Sequence, residues 1–249
     1  MSSENDHQLA ARLASETGHL LLVLREQLFA RGASSWTVKD AGDELAHEFL
    51  MKQFAECRPD DAVLSEEGHD DRLRLGASRV WIVDPLDGTN EYSERGRSDW
   101  AVHVALAIDG RPVAGAVALP AMEITLATDP APPYPVRLDR PLRVVTSRTR
   151  MPWASMRIAE ALGADVVPLG SAGAKAMAVV LGHADVYAHT GGQYEWDNCA
   201  PVAVALAAGL HASRIDGTPI PYNQADVWSP DLLICRPELA AAAVAAAHS

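Results

Sequence analysis

The chain has 249 residues, of which 48% are apolar and 22% charged, and this excludes wholesale disorder, a collagen-like repeat and a disulfide-stapled mini-protein. Its length suits one large domain or two halves of ordinary size. The formal net charge is −12, so the sequence lacks the basic footprint of a nucleic-acid-binding protein, and an anionic substrate would need local cations or metal ions.

The first half of the chain is predicted to contain two helices and then a series of strands. Leucines recur on one helical face from about Asp6 to Ala30, and a second helix is predicted from about Gly42 to Cys57. Short apolar runs predict strands at Ala62–Ser65, Arg79–Val83, Trp100–Ile108, Arg111–Pro120 and Glu123–Thr128. The dipeptide Asp109-Gly110 between two of these runs indicates a tight hairpin.

A proline-rich segment, Asp129–Pro141, marks the predicted boundary between two halves, residues 1–135 and 136–249. Strand and helix patterns alternate after it, which favours an α/β layer. The predicted strands are Leu142–Thr146, Asp165–Pro168, Asp185–Ala188 and Leu232–Cys235. The predicted helices are Pro152–Leu162, Gly173–Leu181, Asn198–Ala208 and an alanine-rich helix from about Glu238.

Three acidic groups stand out at the ends of predicted elements. They are Ser65-Glu66-Glu67-Gly68, the segment Trp81–Thr89, and Glu195-Trp196-Asp197. Carboxylates this close together repel one another unless something neutralises them. Solvent can do so on an exposed loop, whereas the alternative interpretation is a set of hard oxygen ligands for Mg²⁺.

The string DPLDGT at residues 84–89 has the chemistry that a metal and phosphate site needs. Pro85 fixes a bend, so the two carboxylates and the Leu86 carbonyl between them can converge on one point. Gly88 permits close backbone approach, and Thr89 adds a hydroxyl and an N–H group that can hold a phosphate oxygen. The whole string, preceded by an apolar strand and an upstream Glu-Glu pair, favours a metal site over a solvated turn.

Three motifs carry a resemblance to a known family: SEEG (65–68), WIVDPLDGTNEY (81–92) and WDNCAPVAVALAAG (196–209). In these motifs the chain resembles the inositol monophosphatase superfamily of magnesium-dependent, lithium-sensitive phosphatases. GSAGAK (170–175), VTSR (145–148) and the NEY that ends the second motif make it most similar to the CysQ-type branch, the 3′-phosphoadenosine 5′-phosphate (PAP) phosphatases. The resemblance implies an α/β (α+β) fold, the layered αβαβα sandwich of this family.

The resemblance also implies a metal site with two or three Mg²⁺ ions as cofactor. The implied ligands are the carboxylates of Glu66, Asp84, Asp87 and Asp197 and the carbonyl oxygen of Leu86. Asp84 would bridge two ions, and Glu67 would act as a catalytic neighbour of Glu66. Thr89 would orient the attacking water, and Asp43 would pair with Thr89. The first half would therefore hold most ligands, and the second half Asp197 and the substrate contacts.

Substrate-binding residues are implied at Gly88, Thr89, Ser147, Arg148, Lys175 and His189. Lys175 fits either a phosphate contact or a surface lysine whose chain lies along apolar neighbours, and the resemblance favours the contact. His189 fits either a substrate contact or a structural histidine. Three aromatic residues could stack on adenine, but core packing is the interpretation favoured for each: Tyr194, Trp196 and Trp228.

The leading functional hypothesis is a PAP phosphatase of sulfur assimilation that yields AMP and phosphate, with PAPS as a second substrate. One alternative is the same chemistry on inositol monophosphate or fructose 1,6-bisphosphate. Another is a non-catalytic metal- or nucleotide-binding protein, against which the complete acidic set argues. The expected partners are a small phosphate monoester and, by resemblance, a second copy in a homodimer, with no nucleic acid and no membrane.

The expected compartment is the cytoplasm. The three cysteines are scattered and form no CxxC pair, which is typical of reduced thiols: Cys57, Cys199 and Cys235. Glu4 and Asp6 stand where a signal peptide would carry positive charge. The apolar run Leu20–Leu24 is too short to span a bilayer.

Overall fold

The computed structural model describes residues 4–248 of the chain. In that range the α-helices are α1 (Asp6–Ala30), α2 (Ser35–Cys57), α3 (Thr89–Ser93), α4 (Trp153–Leu162), α5 (Ala172–Val180), α6 (Glu195–Ala207) and α7 (Pro237–His248). The β-strands are β1 (Ala62–Ser65), β2 (Arg79–Asp87), β3 (Ala101–Ile108), β4 (Arg111–Leu119), β5 (Ile124–Ala127), β6 (Arg143–Ser147), β7 (Asp165–Leu169), β8 (Val186–Tyr194), β9 (His211–Ser213) and β10 (Trp228–Cys235).

The first two helices begin at polar capping residues. Asn5 caps α1, which spans the predicted range. The predicted start of α2 at Gly42 is wrong, because the Ser34 hydroxyl accepts the N–H of Thr37 at 3.1 Å and begins the helix at Ser35. Gly42 lies inside the helix at a close contact, where a Cβ atom would lie 2.7 Å from the ring of Tyr92.

The first sheet has the strand order β1-β2-β3-β4-β5, in which only β1 and β2 are parallel. The predicted hairpin is confirmed: Asp109 (φ 49°) and Gly110 (φ 74°) both have positive φ, as a type I′ turn requires. Strand β2 does not end at Val83 but continues to Asp87. Its pairing with β3 shifts register between Asp84 and Asp87, so this part of the strand is bulged.

The second sheet has the order β7-β6-β8-β10-β9, in which β6 pairs in parallel with β7 and β8, and β10 pairs antiparallel with β8 and β9. Strand β8 extends well beyond the predicted Ala188, to Tyr194. Helix α6 follows it without a gap and begins at Glu195, so the third acidic group of the sequence lies in the first helical turn. Strand β9 was not predicted.

The elements form the expected αβαβα layers. Helices α1 and α2 cover one face of the first sheet around Leu13, Leu50 and Trp81. Helices α5 and α6 fill the space between the two sheets, where Met177 and Val204 are fully buried. Helices α4 and α7 cover the outer face of the second sheet. The core is therefore divided into three apolar layers, and the middle one contains the helices that adjoin the candidate site.

The proline-rich segment 129–141 links the two sheets and contains neither helix nor strand. The division of the chain into two halves at this segment stays a prediction. A search of residues 4–248 finds no helix with the length and hydrophobicity needed to cross a membrane.

Candidate active site

Four carboxylates gather where β1 and β2 end and α6 begins: Glu66, Asp84, Asp87 and Asp197, here called the acidic cluster. Strands β1 and β2 are parallel neighbours with Ser65 opposite Val83. The next residues along the two strands, Glu66 and Asp84, therefore lie side by side, and their carboxyl groups share a hydrogen bond. Asp197, in the first turn of α6, is close enough to raise the pKa of both.

Burial and like charge make the acidic cluster hard to ionise. Burial, followed by the charges of its three neighbours in the cluster, raises the pKa of Asp84 well above its ordinary value. Glu66 is exposed at the rim, yet desolvation by the surrounding walls and the nearby carboxylates raise its pKa to about 7. Burial and Asp87 raise the pKa of Asp197 to about 6. Full ionisation of the cluster would thus place more negative charge here than the surrounding protein groups neutralise.

Asp87 has protein donors on three neighbouring sides. Its carboxylate accepts the backbone N–H groups of Ala172 (3.1 Å) and Gly173 (2.6 Å) at the start of α5. The Nε2 atom of His103 lies 3.1 Å from the same carboxylate, while His103 Nδ1 donates to the carbonyl oxygen of Trp196 at 3.0 Å. These contacts fix Asp87 between β3, α5 and α6.

His103 is a residue that the sequence analysis missed. It is fully buried on β3, among apolar strand residues. Burial alone would lower its pKa, but the Asp87 carboxylate outweighs burial, so the pKa of His103 is raised. Burial would likewise raise the pKa of Asp87, but His103 and the Gly173 N–H outweigh it, so that pKa is lowered. The available signal was a single histidine in an otherwise apolar strand.

The DPLDGT segment turns from strand to helix beside the cluster. Asp84 accepts the N–H of Leu86 at 3.1 Å, which closes the bend. Gly88 has φ +84°, and a Cβ atom there would lie 2.8 Å from the Cβ of Ser171. Both the backbone conformation and the lack of space therefore favour glycine. The Thr89 hydroxyl, at the start of α3, donates to the Leu86 carbonyl oxygen at 3.5 Å.

Asp43 carries a carboxyl group that the charge of Glu67, the neighbour of Glu66, influences. Asp43 is half-buried on α2, and burial, together with the charges of Glu67 and Asp40, raises its pKa to about 7. No hydrogen bond between Asp43 and Thr89 occurs among the described residues, so the predicted pairing of these two side chains stays a prediction. A carboxyl group with this pKa can accept a proton near neutral pH.

The acidic cluster opens into a cleft of about 420 Å³. Of the predicted site residues, those that line this cleft are Glu66, Asp87, Gly88, Ser147, Lys175, His189 and Asp197. Strand β8, α5 and the ends of β6 and β10 supply the wall away from the carboxylates. The space is large enough for a small organic phosphate.

The two predicted substrate cations both have protein partners. Lys175 is only 4% exposed, and its ammonium group donates to the carbonyl oxygens of Gly170 and Ser171, with burial lowering its pKa. Arg148 donates to the carboxylates of Glu91 (2.5 Å) and Glu94 (2.6 Å) and is not among the residues that line the cleft. The cleft instead contains Arg150, which the sequence analysis did not single out.

The assignment of the aromatic residues to the core is wrong for two of the three. Tyr194 and Trp228 are 43% and 45% exposed, and both line the cleft. Trp196 is half-buried and stacks on Tyr194 with ring centroids 4.8 Å apart. The reason is positional: Tyr194 ends β8 and Trp228 begins β10, so the two residues pair where these strands leave the sheet rather than in its middle.

Comparison with known sequences gives one consistent result. The family model described as the inositol monophosphatase family matches residues 8–130 and 139–249. A "3′-phosphoadenosine 5′-phosphate phosphatase" of Mycobacterium leprae is 49% identical over 247 residues, covering 94% of this chain and 90% of the relative. The "3′(2′),5′-bisphosphate nucleotidase CysQ" of Escherichia coli K12 is 32% identical over 74% of this chain and 78% of its own length.

Solved structures share the fold. CysQ from Bacteroides thetaiotaomicron superimposes with a TM-score of 0.77 at 24% identity, over 94% of this chain and 98% of that one. A staphylococcal IMPase-II also gives a TM-score of 0.77, at 20% identity, over 97% and 94% of the two chains. At these identities the superpositions establish the layered architecture alone.

Proposed function

This chain belongs to the inositol monophosphatase family, and from that premise we propose that it removes the 3′-phosphate of PAP, yielding AMP and phosphate. It is a phosphatase of the 3′(2′),5′-bisphosphate nucleotidase type. The observation that carries the substrate assignment is the high identity, over nearly the full length, with mycobacterial PAP phosphatases. PAPS, which carries the same 3′-phosphate, is the proposed second substrate.

Mg²⁺ is the proposed cofactor, and the residues present fit it. The acidic cluster offers carboxylate oxygens, the ligand type that Mg²⁺ prefers. The raised pKa values of Glu66, Asp84 and Asp197 show that these carboxyl groups ionise unfavourably so close together. A divalent cation would favour their ionised forms. Glu66, Asp84 and the Leu86 carbonyl would hold one ion, and Asp84, Asp87 and Asp197 a second. Mg²⁺ bound there would activate water and neutralise charge on the phosphoryl group.

The protein's own groups would then position the substrate and move the proton. The backbone N–H groups of Gly88 and Thr89, at the start of α3, would hold phosphoryl oxygens. Asp43, with its raised pKa, would take the proton of the attacking water through the Thr89 hydroxyl. Burial and the charge of Glu67 would keep that pKa high. Phosphoryl transfer depends mostly on such positioning and charge stabilisation.

The substrate proposal is tested by phosphate release from PAP, PAPS, inositol 1-phosphate and fructose 1,6-bisphosphate, with Mg²⁺ and with added Li⁺. We expect PAP to give the highest kcat/KM and Li⁺ to inhibit. A clear preference for inositol 1-phosphate would assign the second candidate activity instead. Absence of Mg²⁺-dependent release from every substrate would support the non-catalytic alternative. The expected homodimer is checked on the same preparation by light scattering.

A further inference from the structure

A substrate with two phosphates needs a second anion-binding group in the cleft. One phosphate would lie at the acidic cluster, where bound metal ions supply positive charge. The other, a phosphate monoester with between one and two negative charges at neutral pH, must lie away from these carboxylates and needs a cation of its own. This inference rests on the proposed function, because only a bisphosphate substrate poses the requirement.

Lys175 and Arg148 are poor candidates for that cation. The ammonium group of Lys175 donates to two backbone carbonyl oxygens and is almost completely buried. The guanidinium group of Arg148 bonds to two carboxylates on the α3 side. A substrate phosphate would have to displace contacts that each side chain already makes.

Arg150 meets the requirement. It follows β6 in a turn that the Ser147 hydroxyl closes by accepting the Arg150 N–H at 3.2 Å. Its side chain is exposed and lines the cleft, and within residues 4–248 no ion pair is formed by its guanidinium group. Arginine can bind a phosphate through two parallel N–H donors.

A second polar group in the lining of the same cleft also lacks a protein partner. His189 is 7% exposed and lines the same cleft. Its Nε2 atom lies 3.0 Å from the carbonyl oxygen of Gly192, which can only accept, so Nε2 carries the proton. Its Nδ1 atom is buried and has no hydrogen-bond partner in the described protein. Burial lowers the pKa of His189, and the charges of Lys175 and Arg150 contribute in the same direction.

The neutral His189 ring, part of the cleft lining, therefore has an unused acceptor, and a hydroxyl or N–H group of a ligand that reaches it would satisfy it. A nucleoside carries such donors on its sugar and on an amino-substituted base. Trp228 and Tyr194, partly exposed in the same lining, offer flat apolar surface for a base. Cation, acceptor and aromatic surface together match a nucleoside 5′-phosphate.

We propose that Arg150 binds the second, non-reacting phosphate of a nucleoside bisphosphate, while His189 Nδ1 accepts a hydrogen bond from the nucleoside that joins the two phosphates. Arg150 is thus a specificity-determining residue: it distinguishes a nucleoside bisphosphate from a nucleoside monophosphate.

The test compares PAP with adenosine 3′-monophosphate, which lacks only the second phosphate. We expect Arg150→Gln to lower kcat/KM for PAP by about tenfold or more, mainly through KM, because the lost contact is remote from the reacting atoms. Turnover of adenosine 3′-monophosphate should stay unchanged. Arg150→Lys should recover part of the PAP activity. Arg157→Gln, which removes an exposed charge from α4, is the matched control and should alter neither substrate.

Product inhibition gives a second readout that does not require turnover of the monophosphate. In Arg150→Gln the Ki of AMP should rise by a similar factor, while inhibition by inorganic phosphate stays the same. Equal losses on PAP and adenosine 3′-monophosphate, or an unchanged Ki of AMP, would overturn the role of Arg150 and leave the proposed function standing. If wild-type protein releases no phosphate from PAP, the proposed function itself fails, and this inference with it.

Discussion

At the scale of single residues, His103 shows how a buried side chain can support a reaction centre without standing in it. One ring nitrogen faces Asp87, and the other bonds to the backbone of α6 immediately before Asp197. It thereby ties two carboxylates of the acidic cluster to one rigid strand. Removing a group that orients a metal ligand in this way typically weakens metal binding by about 10- to 100-fold.

We predict that His103→Leu weakens Mg²⁺ binding by about 10- to 100-fold, because Asp87 loses a partner and α6 loses its link to β3. Isothermal titration with Mg²⁺ measures this without reference to activity. His103→Gln, which keeps a donor of similar reach, should retain part of the affinity. Unchanged Mg²⁺ affinity in the folded leucine variant would show that His103 only fills space.

Asp43 carries a prediction about pH and stability. Its pKa rises from an ordinary 3.8 to about 7 in the folded protein, so the folded state holds a proton that the unfolded state has released. Between those two pH values stability therefore falls as pH rises. In the presence of EDTA, Asp43→Asn should raise Tm above that of wild type at pH 8, and the difference should shrink towards pH 4.

The matched control for that measurement is Asp60→Asn, which removes an exposed aspartate after α2. It should show no such pH-dependent gain. We also expect Asp43→Asn to lose most phosphatase activity, since it removes the proposed proton acceptor. A Tm difference independent of pH would contradict the account of Asp43.

At the scale of elements, the start of α5 connects the middle helical layer to the acidic cluster. Gly173, in its first turn, donates to Asp87 and lies against β3. A Cβ atom at this position would lie 2.2 Å from His103 Nε2 and 2.8 Å from the Cβ of Ala101. The glycine is required because backbone and reaction centre approach each other more closely than a side chain allows.

We predict that Gly173→Ala costs about 1–3 kcal/mol of unfolding free energy, as overpacking in a dense core does, and lowers activity at least tenfold. Urea denaturation and phosphate release measure the two effects. Gly76→Ala is the control, since no atom lies within 4 Å of a Cβ atom there. Equal stability of the two variants would show that α5 can shift to make room.

Elements also show where sequence patterns were sufficient. Helix α1 and the strands of the first sheet follow periodicity and turn chemistry, and these predictions were confirmed within a few residues. The start of α2 was missed because the Ser34 cap begins the helix before the apolar pattern does. The end of β8 was missed because the strand continues through two glycines, where the apolar pattern stops. Gly42, taken as a helix start, is instead a packing contact that only the folded chain reveals.

At the scale of the whole molecule, the acidic cluster combines residues that are far apart in the sequence, from Glu66 to Asp197. It lies where the first sheet meets α6. The sequence motifs identified all four carboxylates, and the structure places three of them, Glu66, Asp87 and Asp197, in the lining of one cleft. Their metal-binding roles stay predictions. The motifs could not show which basic side chains already bond to other protein groups, because the partners of Lys175 and Arg148 depend on tertiary contacts.

We predict that Mg²⁺ raises Tm, and that the increase is larger at pH 8 than at pH 5. At the lower pH, protons occupy Glu66, Asp84 and Asp197 and compete with the cation, because their pKa values are raised. At a hundredfold excess over Kd the stabilisation would be about 2.7 kcal/mol. Scanning fluorimetry across pH measures it.

Asp84→Asn should abolish both the Mg²⁺-dependent increase in Tm and the Mg²⁺-dependent turnover, while circular dichroism shows a retained fold. Retained turnover in this variant would refute the metal site at the acidic cluster. A Tm increase that persists in the variant would place the stabilising ion elsewhere.

The layered arrangement has a consequence for how the molecule fluctuates. Helices α5 and α6 lie between two sheets, whereas α4 and α7 cover an outer face and have solvent on their far side. Amide protons of the inner pair should therefore exchange with deuterated water only when the entire chain opens, and those of the outer pair should exchange through local fraying. The acidic cluster therefore adjoins the helices that we expect to open most slowly. Substitutions on the solvent side of the outer helices should leave it undisturbed.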